Sequence, residues 1–167
     1  MNNYLKIFRP HAIPVSLAEK IRSGIAGGVS ILLLGWALNL LPQGPYQLVL
    51  LGSMAASALL LFAVPHSLLG QPWNLIGGHL ISSMVGWGCG ALIHDPLFGG
   101  AAAVGLAIFL MYCLHSLHPP GAATALTLVL ANNQFHPMGQ MWTLYIVVAN
   151  VLILFCLLYT SDAADDT

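Results

Sequence analysis

From Ser23 to Ser161 the chain carries a single formal charge, the carboxylate of Asp95. Soluble globular proteins typically carry about 25% charged residues, whereas this chain has 5% charged and 58% hydrophobic residues. Such a stretch cannot offer water enough polar groups for a soluble surface, but a lipid environment requires none. The sequence therefore predicts a polytopic integral membrane protein.

The remaining charges are segregated to the two ends of the chain. The cationic residues all precede the first long apolar run and are Lys6, Arg9, Lys20 and Arg22. Because Lys and Arg are retained on the cytoplasmic side of a membrane, we expect a basic cytoplasmic head over 1–22, lying along the membrane surface. The transmembrane domain then covers 23–160, and we interpret 161–167 as a truncated or non-native tail. No basic stripe follows the head, so we expect no nucleic-acid partner.

Five apolar runs are long enough to cross roughly 30 Å of hydrocarbon, which takes about 20 residues of helix. They cover 23–41, 46–65, 75–93, 97–114 and 141–160. A sixth run, 121–131, is too short to cross alone as a straight helix. The links are short and rich in Pro and Gly, so neighbouring helices must pack together. The predicted fold is all-α, a polytopic transmembrane helical bundle with five clear spans and one short helix.

Glycine pairs at helical spacing fall inside two of these runs. Gly24 and Gly28 form a GxxxG pair in the first run, and Gly86 and Gly90 form another in the third. Such pairs let helix backbones approach closely. We interpret both as helix contacts, with a pore lining as the alternative.

A three-residue echo relates two of the links. His66-Ser67-Leu68 recurs as His115-Ser116-Leu117, 49 residues later, and each copy closes an apolar run. Both copies run in the same direction through the membrane. A parallel repeat of two helix pairs, which is a common plan in transporters, is one explanation of the echo, and chance is the other.

The densest group of distinctive residues follows the second copy of the echo and comprises His118, Pro119, Pro120, Gly121 and Thr124. Proline cannot continue a helix but suits its first turn, so a new helix should begin near Pro119 or Pro120. The small residues that follow would leave amide N–H groups open to a ligand, and helix N-termini bind anions. The sequence therefore predicts an anion site at this helix start.

The first copy of the echo offers a similar set of residues. His66 ends one run, Asn74 lies where the next helix starts, and His79 lies one turn further on. We include these residues and His115 among the candidates for substrate binding. His66 and His115 could instead cap helix ends at the interface, and His118 could bond a carbonyl from a loop. His79 is harder to dismiss, because an ionisable residue within a span usually faces a cavity or a partner.

Two further chemistries are not expected. The histidines lack the spacing and the acidic partner of a metal site. With Asp95 as the only carboxylate in the membrane region, no set of nucleophile, base and acid can be completed there. We therefore expect no metal, no cofactor and no enzymatic activity.

Two segments of the chain resemble the HPP family of integral membrane proteins, named for its His-Pro-Pro motif. They are 62–79 and 117–126, and the second contains the motif at His118-Pro119-Pro120. Phe8-Arg9-Pro10 also fits, and the resemblance covers about 4–155. It implies a helical membrane protein with several spans and no enzymatic activity. Plant plastid members are linked to nitrite transport, many bacterial members have no assigned substrate, and some carry additional regulatory domains.

The resemblance also bears on topology. A cytoplasmic C-terminus, as the family implies, requires an even number of crossings, which favours a sixth crossing by 121–131 with help from 132–137. A re-entrant half-helix is the alternative. We expect the chain in a bacterial inner (plasma) membrane with its N-terminus in the cytoplasm.

Two functional hypotheses follow. The first is a transporter or channel for a small inorganic anion, with nitrite as the candidate implied by the resemblance. Amide dipoles, histidine and threonine would then hold the anion weakly, as throughput requires. The second is a membrane scaffold or sensor that binds a partner and moves nothing. The expected partners are the lipid bilayer, a small anion and, because the bundle is small, further copies of this chain in a homo-oligomer.

Overall fold

The computed structural model describes residues 14–39, 47–134, 147–149 and 151–156, and the regular structure in these ranges is entirely helical. The elements are α1 (Leu17–Asn39), α2 (Gln47–Ala63), a 3₁₀ turn (Leu68–Gly70), α3 (Pro72–Leu92), α4 (Pro96–Cys113) and α5 (Pro119–Gln134). The helical residues 147–149 and 151–156 are called the C-terminal segment below. Most of the predicted basic head and the whole predicted tail, 161–167, lie outside the described residues.

Local sequence explains where the helices begin. Proline opens α3, α4 and α5, because its missing N–H is one that the first turn leaves unpaired in any case. Asp95 caps α4, and its Oδ1 accepts hydrogen bonds of 2.9 Å from the amides two and three residues later. Ser16 caps α1 by accepting from the Glu19 amide at 3.1 Å. Helix α1 therefore includes 17–22, the end of the predicted basic head.

Helix α4 ends in a left-handed turn at His115. This residue has a φ angle of 51°, a conformation that glycine usually provides at the end of a helix. The amide of Ser116 donates to the Met111 carbonyl at 2.9 Å, and the amide of His115 donates to the Tyr112 carbonyl at 3.2 Å. This pair of bonds is a Schellman motif. It turns the chain away from the axis of α4.

The helices pack around two apolar cores. Helices α3, α4 and α5 all contact one another. Helix α1 contacts α2, and α2 contacts α5. The first core joins α1, α2, α3 and the C-terminal segment through Leu34, Met54, Ala58, Leu61, Leu75, Val147, Val151 and Leu154. The second joins α3, α4 and α5 through Val85, Ala103, Ala107, Met111, Ala125 and Val129. Alanines make up half of the second core, so its helices approach closely.

Helices α3 and α5 run parallel to each other. Gly86, in the second half of α3, lies against the backbone of Ala125 in α5. Further along, Val129 lies against Gly99 in the first turn of α4. Helix α5 therefore extends to the end of the bundle at which α4 begins.

The link from α4 to α5 descends into the bundle. Trp73, in the first turn of α3, donates from Nε1 to the Leu114 carbonyl at 3.2 Å, so α4 ends level with the start of α3. His118 lies beside Gly78, well inside α3. With a rise of 1.5 Å per residue, α5 begins about 9 Å deeper than α3. The predicted short segment is thus a helix of 16 residues that starts inside the bundle.

The starts of α2 and α4 repeat at the spacing of the sequence echo, whereas α3 begins at Pro72 and α5 at Pro119, 47 residues apart. Gln47 begins α2 and Pro96 begins α4, the same separation as between His66 and His115. In the pairs α2–α3 and α4–α5 a helix is followed by a short link and a second helix. Helices α4 and α5 contact each other extensively, whereas α2 and α3 do not. A parallel repeat and chance both remain explanations of the echo.

The all-helical prediction is confirmed, but the prediction of five clear spans is not. Among the described residues, two helices are long and apolar enough to cross a membrane, Pro72–Leu92 and Pro96–Cys113. Helix α2 has 17 residues and α5 has 16, while α1 carries charged residues in its first turns. Of the predicted span 141–160, only 147–149 and 151–156 lie within the described residues. For the second span the apolar run overestimated the helix, because it included link residues. The predicted span 46–65 contains Pro65, and a proline disfavours helix in the residue before it.

Candidate functional site

A cluster of polar side chains lies inside the bundle where α2, α3 and α5 meet. Its members are Ser57, His79, His118 and Thr124, and each is 0% exposed. His118 is the last residue of the link that descends into the bundle, and Thr124 lies in the first turns of α5. Buried polar groups are costly unless they are hydrogen-bonded, so the partners of these side chains decide what the cluster can do.

Hydrogen bonds join the cluster into a single row. The Oγ atom of Ser57 lies 2.9 Å from Nε2 of His79 and 2.9 Å from Nε2 of His118. At one end, Nδ1 of His79 lies 2.9 Å from Oγ1 of Thr124. At the other, Nδ1 of His118 lies 2.8 Å from the carbonyl oxygen of Leu69 in the 3₁₀ turn. The two imidazole rings meet edge to face, with their centroids 4.9 Å apart.

When both hydroxyls donate to the histidines, the Leu69 carbonyl fixes the direction of every hydrogen bond in the neutral row. A carbonyl can only accept, so Nδ1 of His118 carries a hydrogen and its Nε2 accepts from the Ser57 hydroxyl. The Ser57 oxygen then accepts from Nε2 of His79. Nδ1 of His79 in turn accepts from the Thr124 hydroxyl. All donors in the row point the same way, from Thr124 toward Leu69.

Glycine on α3 lets α5 approach closely enough to form the row. A Cβ atom on Gly78 would collide with Cβ of His118, and a Cβ atom on Gly86 would lie 2.5 Å from the Ala125 carbonyl oxygen. The residue next to Gly78 is His79. The close contact at Gly78 therefore positions both imidazole rings, that of His79 on α3 and that of His118 at the start of α5.

Gly121 lies in the contact between α5 and α3, and its role as an anion-binding residue stays a prediction. Its amide donates to the His118 carbonyl at 2.8 Å. A Cβ atom on Gly121 would lie 2.8 Å from Oγ of Ser82 and 2.9 Å from the carbonyl oxygen of Gly78. The missing side chain serves the contact between α5 and α3. That contact fills the space through which an anion was expected to approach the amide of Gly121.

The remaining candidates lie around the row rather than in it. Pro119 is exposed and Pro120 is buried in the first turn of α5. Asn74 donates from Nδ2 to a carbonyl of the 3₁₀ turn at 2.7 Å and so ties that turn to the start of α3. His66 and His115 are exposed in the turns that follow α2 and α4. The structure does not bring these two histidines to the buried pair.

Sequence reasoning placed three members of the row among its candidates and missed the fourth. Ser57 joins the two rings, yet a single serine in an apolar run is ordinarily a packing residue. A signal was present in the spacing, since Ser53 and Ser57 stand four residues apart and share one face of a helix. The Leu69 carbonyl, a backbone group, has no sequence signal of this kind.

One hydroxyl near the row has no partner among the described residues. Oγ of Ser116 is buried and makes no hydrogen bond. It precedes His118 by two positions, in the link that descends into the bundle. A buried hydroxyl without a partner costs about 1–3 kcal/mol. Ordered water or an ion is one of the ways in which such a group is satisfied in native structures.

The fold and the site define a class of protein, a helical membrane protein that holds a histidine pair between parallel helices. Large apolar side chains face outward from the described helices, as contact with lipid requires, and they include Leu32, Trp36, Phe98 and Phe109. The family model described as the HPP transmembrane region matches residues 12–163, so the chain belongs to this family of integral membrane proteins.

Similar proteins support the same class. Two transmembrane proteins of Dictyostelium discoideum match this chain. One is 49% identical over 94 residues, which cover 52% of this chain and 32% of the relative. The other is 45% identical over 93 residues, which cover 51% of this chain and 29% of the relative. The chain thus spans about a third of the length of the curated relatives it matches. No solved structure matches it.

Proposed function

We propose that the protein is a transporter or channel for a small inorganic anion, with nitrite as the candidate implied by the family resemblance. The observation that carries the proposal is the buried row, which lies where α5 begins inside the bundle. Ionisable residues within membrane spans are costly, and they typically mark a substrate path or a proton relay. A helix that starts inside the membrane is a recurrent feature of transporter sites.

The chemistry of the site suits a weakly held anion. The sequence of α3, α4 and α5 contains no Lys or Arg. An anion there would depend on the hydroxyl of Ser116, the ring of His118, the hydroxyl of Thr124 and the amide dipoles at the start of α5. Binding that is weak enough to permit release is what conduction requires. The proposal involves no bond making or breaking, and we propose no enzymatic activity.

We further propose that the N-terminal head and the links around the row face the cytoplasm, because all four cations of the chain precede the first span. Cysteine placed at Lys6 or at Asp95, in a chain whose own cysteines are replaced by alanine, tests this. An impermeant reagent outside the cell should label position 95 and spare position 6. Labelling of position 6 alone would reverse the orientation. Location in a bacterial plasma membrane and assembly into a homo-oligomer stay predictions.

Nitrite uptake into proteoliposomes tests the function. The purified chain should raise the initial rate of nitrite entry above that of protein-free liposomes, which report the passive entry of nitrous acid. His79→Phe should abolish this increase, because it removes both ring nitrogens from the row. His94→Phe, at an exposed histidine that precedes α4, is the matched control and should transport like the wild type. If nitrite, nitrate and chloride all enter no faster with folded protein than without it, the transport proposal is wrong.

A membrane scaffold or sensor is the second candidate, and one observation favours it. Each of the four ring nitrogens in the row already has a protein partner. A satisfied polar network can serve to hold helices in a unique arrangement. In that case His79→Phe would lower stability while the wild type would show no uptake of any anion tested.

A further inference from the structure

We propose that the row formed by Ser57, His79, His118 and Thr124 is a proton-binding site and that the proton is the coupling ion for the anion. The coupling half of this inference rests on the proposed transport function. The proton site itself can be measured without transport.

Each hydroxyl in the row has a second acceptor within its own helix. Oγ of Ser57 lies 3.2 Å from the carbonyl oxygen of Ser53. Oγ1 of Thr124 lies 3.4 Å from the carbonyl oxygen of Pro120. Each carbonyl belongs to the residue four positions earlier, so rotation of the O–H bond exchanges the imidazole for the carbonyl. The hydroxyl hydrogens can therefore leave the histidines without becoming unpaired.

Uptake of one proton at His118 leaves every donor in the row with an acceptor. The proton forms an N–H bond at Nε2 of His118, which then donates to the Ser57 oxygen instead of accepting from it. The Ser57 hydrogen turns to the carbonyl of Ser53. The Ser57 oxygen, with two lone pairs, accepts from His118 and His79 together. While His79 keeps its hydrogen on Nε2, the Ser53 carbonyl is what prevents the hydrogens of Ser57 and His118 from opposing each other.

The direction of the row gives a proton a route to His118. A proton that reaches the Thr124 oxygen releases the Thr124 hydrogen to Nδ1 of His79. His79 passes the hydrogen on its Nε2 to Ser57, and Ser57 passes its own to Nε2 of His118. Each transfer crosses one hydrogen bond of 2.9 Å. The net result is one positive charge on His118 and a change of tautomer at His79, which now donates from Nδ1 to the Thr124 oxygen and accepts from Ser57 at Nε2. The Thr124 hydrogen turns to the carbonyl of Pro120. The opposite sequence of transfers releases the proton.

The surroundings of the rings explain why such a proton would be coupled to an anion. Among the described residues, the titratable group that faces each ring is the other imidazole. Helix α2, helix α5 and the 3₁₀ turn face the rings with hydroxyl and carbonyl groups. In the described ranges no carboxylate hydrogen-bonds either ring. A positive charge there lacks a counter-ion, and a bound anion would supply it, so each ligand favours the binding of the other.

The proton site is tested by nitrogen-15 NMR of the full chain in nanodiscs, with labelled histidine. In the neutral state we expect Nδ1–H at His118 and Nε2–H at His79. On acidification one charge should appear, at His118, and nitrite should increase the charged fraction at constant pH. The spectra of His79→Gln and His118→Gln assign the signals. Rings that stay neutral at every pH at which the chain is folded would overturn the site.

Coupling is tested in proteoliposomes with the outside pH and the outside nitrite concentration held constant. The outside concentration of nitrous acid is then constant too, so its initial rate of passive entry is the same at every inside pH. Raising the inside pH by about two units, a hundredfold change in proton concentration, should raise protein-dependent entry severalfold. This dependence should disappear in Ser57→Ala and return in Ser57→Thr. Ser30→Ala removes a buried hydroxyl that bonds within α1 and should keep the wild-type dependence.

The two measurements separate the inference from the proposed function. If uptake depends on the protein but not on the inside pH, and both rings stay neutral, the transport proposal holds and the proton site is refuted. A charged His118 in a chain that moves no anion would retain the proton site and refute both transport and coupling. If His118 becomes charged but protein-dependent uptake does not depend on the inside pH, coupling alone is refuted.

Discussion

Two glycine-bearing helix faces look alike in this sequence and differ in the structure. On α1, a Cβ atom added to Gly24 or Gly28 would meet no atom of the described residues within 4 Å. These residues border a cavity of about 560 Å³ between α1 and α2. On α3, a Cβ atom on Gly78 or Gly86 would run into α5. Glycines at helical spacing therefore permit a close contact without ensuring one.

The partner helix accounts for the difference. Opposite the glycines of α3, helix α5 presents Gly121 and Ala125, so two faces of small residues meet. Opposite the glycines of α1, helix α2 presents Ala55, Ala58 and Leu59 across the cavity. The tight contact is the one that carries the buried row. A row of hydrogen bonds requires helices fixed within a few tenths of an ångström.

The largest expected effect is that of Gly78→Ala. The new methyl group would collide with His118 and drive its ring from Ser57 and Leu69. Overpacking costs about 1–3 kcal/mol, and each hydrogen bond lost adds about 1 kcal/mol. We expect the free energy of unfolding to fall by about 3 kcal/mol or more, measured by SDS-induced unfolding in mixed micelles. Wild-type stability in this variant would mean that α3 and α5 lie further apart than the structure shows.

The sequence predicted the positions of elements along the chain better than their depth in the bundle. The predicted third and fourth spans lie within three residues of α3 and α4, because prolines mark where those helices start. The sequence did not show that α5 starts about 9 Å deeper than α3. That depth results from the pairing of Gly78 with His118, two residues far apart in sequence. A contact between two residues so far apart in sequence produces no periodic pattern from which it could be predicted.

The site was predicted in part, for a related reason. His79, His118 and Thr124 stand out in sequence because polar residues are rare in the apolar runs. Ser57 does not stand out, since its importance comes from lying between two rings on other elements. The residue types of a buried network can thus be anticipated, but the residue that connects them requires the packing.

The second prediction concerns Ser57→Ala, which removes the link between the rings without changing the glycine contact. One nitrogen on each ring would be left without its partner, and a buried polar group without a partner costs about 1–3 kcal/mol. We expect the free energy of unfolding to fall by about 2 kcal/mol. Ser30→Ala, on the α1 side, should cost less, because the Ser30 hydroxyl donates to the Gly27 carbonyl of its own helix and joins no other element by that bond. Equal losses in the two variants would show that the row adds nothing to stability.

The third prediction concerns the turn that leads the chain into the tight contact. His115 adopts a φ of 51° and its side chain is exposed. A side chain other than that of glycine costs about 1–2 kcal/mol in this conformation. His115→Gly should therefore raise the free energy of unfolding by about 1 kcal/mol, in the same unfolding assay. A loss of stability would instead reveal a contact made by the imidazole of His115.

The smallest expected effect is that of Gly28→Ala. The sign of the change in stability shows whether the glycine face of α1 is open or covered. A methyl group on Gly28 would enter open space beside the cavity, and alanine favours helix over glycine by about 1 kcal/mol in water. We expect the free energy of unfolding to rise by about 0.5 kcal/mol, with the same result for Gly24→Ala one turn earlier. A loss of more than about 1 kcal/mol in both variants, as in overpacked contacts, would show that this face is covered in the membrane. Its cover would be a second copy of the chain or a segment outside the described residues. A disulfide between two copies of a Gly28→Cys variant would identify the second copy, because the bond requires Cα atoms less than about 7 Å apart.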